Sequence, residues 1–202
     1  MRLIKSKRIL KFVVAILLLV VITSAGFLDY YGIIEANITV LPPQYVVKYF
    51  HPTSGVDTTC QPMNYLTDSD LQKLKSSDDD RYKNCGQWKQ NFRDSDFIEF
   101  NFTFDIPSNA DILEVNLTFE WQRTEKISNA RLQIWNGTWQ NYTLSLPSPG
   151  VDGTEIIDLF NLYKIDTPEK LNSFRIRFQR DGSGQAFTYH DFVEVKVKYV
   201  EK

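Results

Sequence analysis

Ile98-Glu99-Phe100-Asn101-Phe102-Thr103-Phe104-Asp105-Ile106 puts a large apolar residue at every second position. After Pro107-Ser108-Asn109-Ala110-Asp111 the alternation resumes at Leu113, Val115, Leu117, Phe119 and Trp121. A period of two over two such runs predicts half-buried strands, with Trp121 in the core. The short Pro/Ser/Asn/Asp link predicts that they are antiparallel neighbours. The glycosylation sequons Asn101-Phe102-Thr103 and Asn116-Leu117-Thr118 carry their asparagines on the polar face of these runs. A glycan there would project into water while the other face packs a core. The stretch therefore reads as one wall of an extracytoplasmic β-sandwich.

The pattern repeats along the chain. Gln44 to Phe50 reads as a first strand, and Ile127–Trp135 with Trp139–Leu146 as a hairpin around Asn136-Gly137. Thr154–Leu162 reads as a strand running into a helical turn, and Thr167-Pro168 as the start of a short capped turn. Phe174–Phe178 and Phe192–Val200 alternate cleanly, the latter with Val193, Val195, Val197 and Tyr199 inward. Roughly eight strands separated by turn signals predict an all-β, antiparallel fold, a sandwich or barrel, over residues 44–202. Residues 51–95 read as a long polar loop, in which Thr67 caps a short helix from Asp68 to Leu74.

The N-terminus supplies an address. Arg2, Lys5, Lys7, Arg8 and Lys11 precede an apolar run, residues 12–28, and no acid occurs before Asp29. As a transmembrane helix this run spans about 26 Å, lengthened by Ile9, Leu10 and the interfacial Tyr30-Tyr31. As a signal peptide it has a normal apolar region and a small-residue cleavage site at Thr23-Ser24-Ala25. The retained anchor is the preferred reading, with residues 1–28 as head and anchor and 29–43 as a stem. Both readings keep the basic head in the cytoplasm and send the rest outside. Beyond the head, 18 basic residues face 25 acidic ones, the opposite of a nucleic-acid binder. Cys60 and Cys85 are the only cysteines, and outside the cytosol they are expected to form one disulfide.

Candidate chemistry is sparse. Five sequons, at Asn37, Asn101, Asn116, Asn136 and Asn141, are candidate glycosylation sites. Trp135, Trp139 and Tyr142 cluster on one hairpin and are the candidate sugar-binding aromatics; cross-strand packing is the preferred account of them, since sequons at Asn136 and Asn141 would place glycans beside that platform. His51 and His190 lack a partner nucleophile, and Glu99, Asp105, Glu114 and Glu120 read as an ordinary wet face. No catalytic residue is assigned, and the chain is expected not to be an enzyme.

The succession SSDDDRY, FIEFNFTFDIP, LEVNLTFEWQ, LQIWNGTWQNYTL, IIDLFNLY, FRIRFQRDGSG and DFVEVKVKYV, over about residues 75–202, resembles jelly-roll β-sandwiches of the galactose-binding-like or carbohydrate-binding-module type. Such modules occur in microbial, often archaeal, surface proteins. The resemblance implies a jelly roll and a structural Ca²⁺, for which Asp78, Asp79, Asp80 and Asp191 are the matching positions. The expected function is that of an anchored cell-surface glycoprotein, structural or interacting, in a cell envelope. Its partners would be the membrane through residues 12–28, envelope glycans or neighbouring surface-protein subunits, and no nucleic acid. Two alternatives stand beside it. One is a displayed carbohydrate-binding module. The other is a secreted filament subunit that donates its N-terminal tail, residues 26–40, as a strand.

Overall fold

A computed structural model describes residues 44–86, 91–182 and 186–201. The apolar run 12–28, the stem and Asn37 lie outside the described residues. Among the described residues no helix is long and apolar enough to cross a membrane.

In chain order the elements are β1 (Tyr45–Phe50), β2 (Ser54–Asp57), β3 (Asn64–Tyr65), α1 (Asp68–Gln72), β4 (Tyr82–Lys83), β5 (Ile98–Asn101), β6 (Asp111–Arg123), β7 (Ile127–Trp135), β8 (Trp139–Thr143), β9 (Gly153–Asp158), α2 (Leu159–Tyr163), α3 (Pro168–Ser173), β10 (Arg175–Gly182) and β11 (Thr188–Val200). They form two antiparallel sheets. Sheet A runs β1-β11-β6-β9, with β4 also on β11; sheet B runs β3-β2-β5-β10-β7-β8. The two pack face to face through a slab of aromatic rings. Phe119 and Trp121 of β6 lie 5.9 Å and 5.3 Å from the Phe178 ring of β10, and Phe100 of β5 lies 6.3 Å from Phe119. The all-β, antiparallel expectation is met, and Trp121 is fully buried.

The decisive stretch folds differently from its expected hairpin. Strand β5 pairs with β2 and β10, whereas β6 pairs with β11 and β9, so the two runs lie in opposite sheets. Residues 102–106 leave sheet B and cross to sheet A. Their alternation survives because Phe102, Phe104 and Ile106 plug the side of the core. Phe104 meets Phe50 at 4.8 Å, and Phe102 meets Phe174 at 5.4 Å. The turn itself forms, with Ala110 N–H donating to the Pro107 carbonyl at 3.1 Å. A period of two reports which face is buried and carries no information on which strand lies alongside.

A second correction is one of phase. Ile112, not Leu113, is buried, because the β6–β11 register shifts where Lys198 faces Glu114 and Tyr199 faces Ile112. The extra residue turns Leu113 outward. The same ladder shifts again between His190 and Phe192, leaving Asp191 as the unpaired residue.

Other expectations are met closely. Strands β7 and β8 form a hairpin with Trp135 opposite Trp139, and Gly137 in its turn has φ +104, open to glycine. Thr67 caps α1 and Asp70 closes the box, its carboxylate accepting from Thr67 N–H at 2.9 Å. Thr167 caps α3, with Pro168 in its first turn.

The stretch 51–95 is not one loop. It supplies β2 and β3 to sheet B and β4 to sheet A. Cys60 and Cys85, with Cα atoms 5.0 Å apart, form the disulfide just beyond β2 and β4 and so join the rims of the two sheets. Closing a ring of sequence separation 25 contributes about 3 kcal/mol in the chain-entropy picture. Reduction is therefore expected to lower the melting temperature by about 8 °C, read by calorimetry with and without a reductant. A shift under about 2 °C would mean that the rims hold without it.

Candidate functional site

Beside the disulfide lies a fully buried carboxylate, Asp57. It ends β2 and accepts from Thr59 N–H (2.8 Å), Thr59 hydroxyl (2.6 Å), Tyr82 hydroxyl (2.8 Å) and Cys85 N–H (3.3 Å). Burial, then the neighbouring Asp57, pushes the Tyr82 phenol far up, so it stays a donor. Asp57, Cys60 and Cys85 bring their ligand-type atoms within 4.8 Å of one another, but both sulfurs are committed to the disulfide. This hub is structural. It escaped the sequence reading because an Asp in a polar stretch carries no mark of its partners.

The acids assigned to calcium are placed as follows. Asp191 is buried at the β11 irregularity, and one of its oxygens accepts from the Asp79 N–H at 3.2 Å; Oδ1 has no partner. Asp78 accepts from Ser76 hydroxyl (2.7 Å) and Asp80 N–H (3.1 Å), and Asp80 faces Lys73 at 3.3 Å. Arg81 reaches into the group, bonded to Asp79 and, at 2.6 Å, to Asp152. Glu120 on the outer face of β6 accepts from Ser77. Burial first, then the neighbouring acids, raises both Asp191 and Glu120 above ordinary carboxylates. The four predicted carboxylates do not converge as one ligand set, and the Arg81 guanidinium already holds Asp79. As arranged, the residues do not fit a calcium ion, so no role is derived through one.

The aromatic trio divides. Trp135 and Trp139 are half-buried on the outer face of sheet B, with ring centroids 5.2 Å apart. Tyr142 alternates to the other side, packs against the core and donates its hydroxyl to Glu155 at 3.1 Å. The Trp pair belongs to a row that runs Asn101–Arg175–Trp135–Trp139 across four strands. The row beside it is Glu99–Arg177–Gln133–Asn141. Arg177 donates to Glu99 at 2.6 Å and lies 4.2 Å from the Trp139 ring, while Arg175 sits 5.0 Å from Trp135 and 5.2 Å from Trp139.

The sequon asparagines are not equivalent. Asn136 donates its amide to the Tyr163 carbonyl at 2.7 Å, and Asn116 donates to Glu114 at 2.8 Å. Asn141 is exposed and uses its amide oxygen, accepting from Gln133 at 3.3 Å. Asn101 is half-exposed opposite Arg175.

The supposed wet-face acids are dispersed: Glu99 on sheet B, Asp105 on the crossover with Lys48 at 2.9 Å, and Glu114 with Lys196 at 2.7 Å on sheet A. His51 donates from Nδ1 to the Val193 carbonyl at 3.1 Å and holds Nε2 3.5 Å from Glu194. It borders a cleft of about 410 Å³ beside α1. No sequence signal linked residues so far apart.

His190 is buried among the Phe178, Phe119, Phe100 and Tyr82 rings, 4.7 to 6.5 Å away, with Nε2 3.0 Å from the Thr188 hydroxyl. Burial pushes it down to about 3 from 6.5. The unfolded chain therefore binds a proton below pH 6.5 that the folded one refuses, so stability falls as pH drops from 6.5 toward 3. The slope from this one residue approaches about 1.4 kcal/mol per pH unit. Glu120 and Asp191, raised on folding, act in the opposite direction. Urea unfolding at pH 7, 6 and 5 should show the loss, and His190→Gln should flatten it. An unchanged slope in the variant would assign the acid limb elsewhere.

Fold and site together define an all-β protein of two packed antiparallel sheets, pinned at one rim by a disulfide. No protein-family model matches the chain, and no curated protein matches it.

Proposed function

We propose that the chain is a cell-surface glycoprotein, held in the membrane by residues 12–28, whose disulfide-pinned sandwich plays a structural or interaction role in a cell envelope. The observation that carries this reading is the Cys60–Cys85 disulfide, backed by the buried Asp57 and following a basic, apolar leader. A bond of this kind suits an oxidising compartment. Adjacency of the first and last strands, β1 and β11, suits a jelly roll. A displayed carbohydrate-binding module is the second reading, favoured by the half-buried Trp135–Trp139 pair.

The test is thiol labelling and protease shaving of intact host cells, with mass spectrometry of the shaved and retained peptides. The reading expects cysteines that label only after reduction, an ectodomain released from outside, and peptides from residues 2–11 kept in the membrane fraction. Reactive thiols in freshly opened cells, or a domain protected until lysis, would sink it.

A further inference from the structure

The outer face of sheet B carries two sequon asparagines at opposite ends of one polar-aromatic platform. Asn101 on β5 and Asn141 on β8 are separated by three strand spacings, about 14 Å. Between them lie Arg175, Trp135, Trp139, Arg177 and Gln133, in the two adjacent rows described above.

Three features suit this surface to sugar. The indole rings offer apolar faces to the C–H side of a pyranose, and the guanidinium groups and Gln133 offer N–H donors to its hydroxyls. The Arg175 side chain is 38% exposed and its Nη1 stands 3.7 Å from Glu99, beyond hydrogen-bond range, so the guanidinium edge is free of that carboxylate to donate outward. The asparagines themselves are suitably disposed. Asn141 engages neighbours through its oxygen, leaving Nδ2, the atom that a glycan occupies, turned away from Gln133. At Asn116, on sheet A, Nδ2 is instead bonded to Glu114, and the paired residues are Lys196 and Asp158, with no aromatic ring.

We infer that the Arg175–Trp135–Trp139 row is the seat of the chain's own N-linked oligosaccharide, attached at Asn101 or Asn141 and folded back onto the sheet. The occupant is thus covalently supplied, and the aromatic pair is covered in the mature protein. The inference rests on the surface-glycoprotein reading, and the experiment separates the two. An attached sugar needs only weak contacts to stay docked, because its tether keeps the local concentration high.

Full-length protein purified from a glycosylating host is mapped by glycopeptide mass spectrometry, and its Trp accessibility is read by acrylamide quenching. The same is done for Asn101→Gln, Asn141→Gln and, as control, Asn116→Gln. Each variant is also made in a host without N-glycosylation, which subtracts any effect of the substitution itself. The expected result is occupancy at Asn101 or Asn141. Loss of that glycan should raise quenching and lower the melting temperature by about 3 °C, while Asn116→Gln does neither. Occupied sites with no change in quenching would overturn the seat and leave the glycoprotein reading intact. Unoccupied sequons in native material would remove both. Quenching of the unglycosylated protein by added free oligosaccharide, with no effect of the attached one, would show a foreign sugar as the occupant and overturn the inference.

Discussion

Asp57→Ala is expected to lower the melting temperature by about 12 °C, the equivalent of about 4 kcal/mol in a domain of this size. The carboxylate accepts four hydrogen bonds, and its removal strands two hydroxyls and two backbone N–H groups. Thr59 and Tyr82 are themselves buried, so water cannot easily replace the lost acceptor. Asp57→Asn keeps one acceptor oxygen and should lose about half as much. The substitution also acts on the disulfide, whose Cys85 N–H it releases. In the reduced protein the effect of Asp57→Ala should therefore shrink, since the two changes share a neighbourhood. Thermal unfolding of the four combinations measures this coupling. Strict additivity would show that the carboxylate and the disulfide act on separate parts of the fold.

Phe178→Ala is expected to cost about 4 kcal/mol, the range for deleting a buried phenyl ring. Phe178 is fully buried on β10 and touches Phe119, Trp121 and His190 of the opposite sheet. The cavity would open where the two sheets meet, among rings that cannot collapse inward without breaking their own contacts. Phe178→Leu keeps most of the volume and should cost about 1.5 kcal/mol. Denaturant unfolding followed by tryptophan emission reads both. A loss under about 1 kcal/mol for the alanine variant would mean that the aromatic slab repacks, contrary to the interlocked geometry.

What the sequence made legible follows from what alternation measures. The buried faces of Ile98–Ile106, Phe174–Phe178 and Phe192–Val200 were readable because burial on a pleated strand has a period of two. The pairing of β5 was not, since its partners β2 and β10 lie about 40 residues before it and 75 after it. Local turn chemistry at Asn136-Gly137 marked a hairpin because both strands are adjacent in sequence. At Pro107–Asp111 the same kind of signal marked a crossover, and nothing local separates the two cases. Leu113 was misjudged because a single inserted residue reverses phase without altering composition. Tyr142 was grouped with Trp139 by proximity, although three residues along a strand place side chains on opposite faces. The disulfide was legible from count, since Cys60 and Cys85 are the only cysteines. The Asp57 hub, the Arg81 guanidinium among the acids and the His51–Glu194 pair were not, because each is assembled by the fold from distant segments.

The place of β11 governs when sheet A can close. It holds residues Thr188–Val200, yet it lies between β1 and β6 and also carries β4. It is synthesised after both of the strands it lies between. Until then β1 lacks the strand that it pairs with among the described residues, and the edge of β6 that β11 will cover stays bare. Sheet A is therefore a template for foreign pairing from the time β6 emerges until β11 follows, with β7 to β10 made in between.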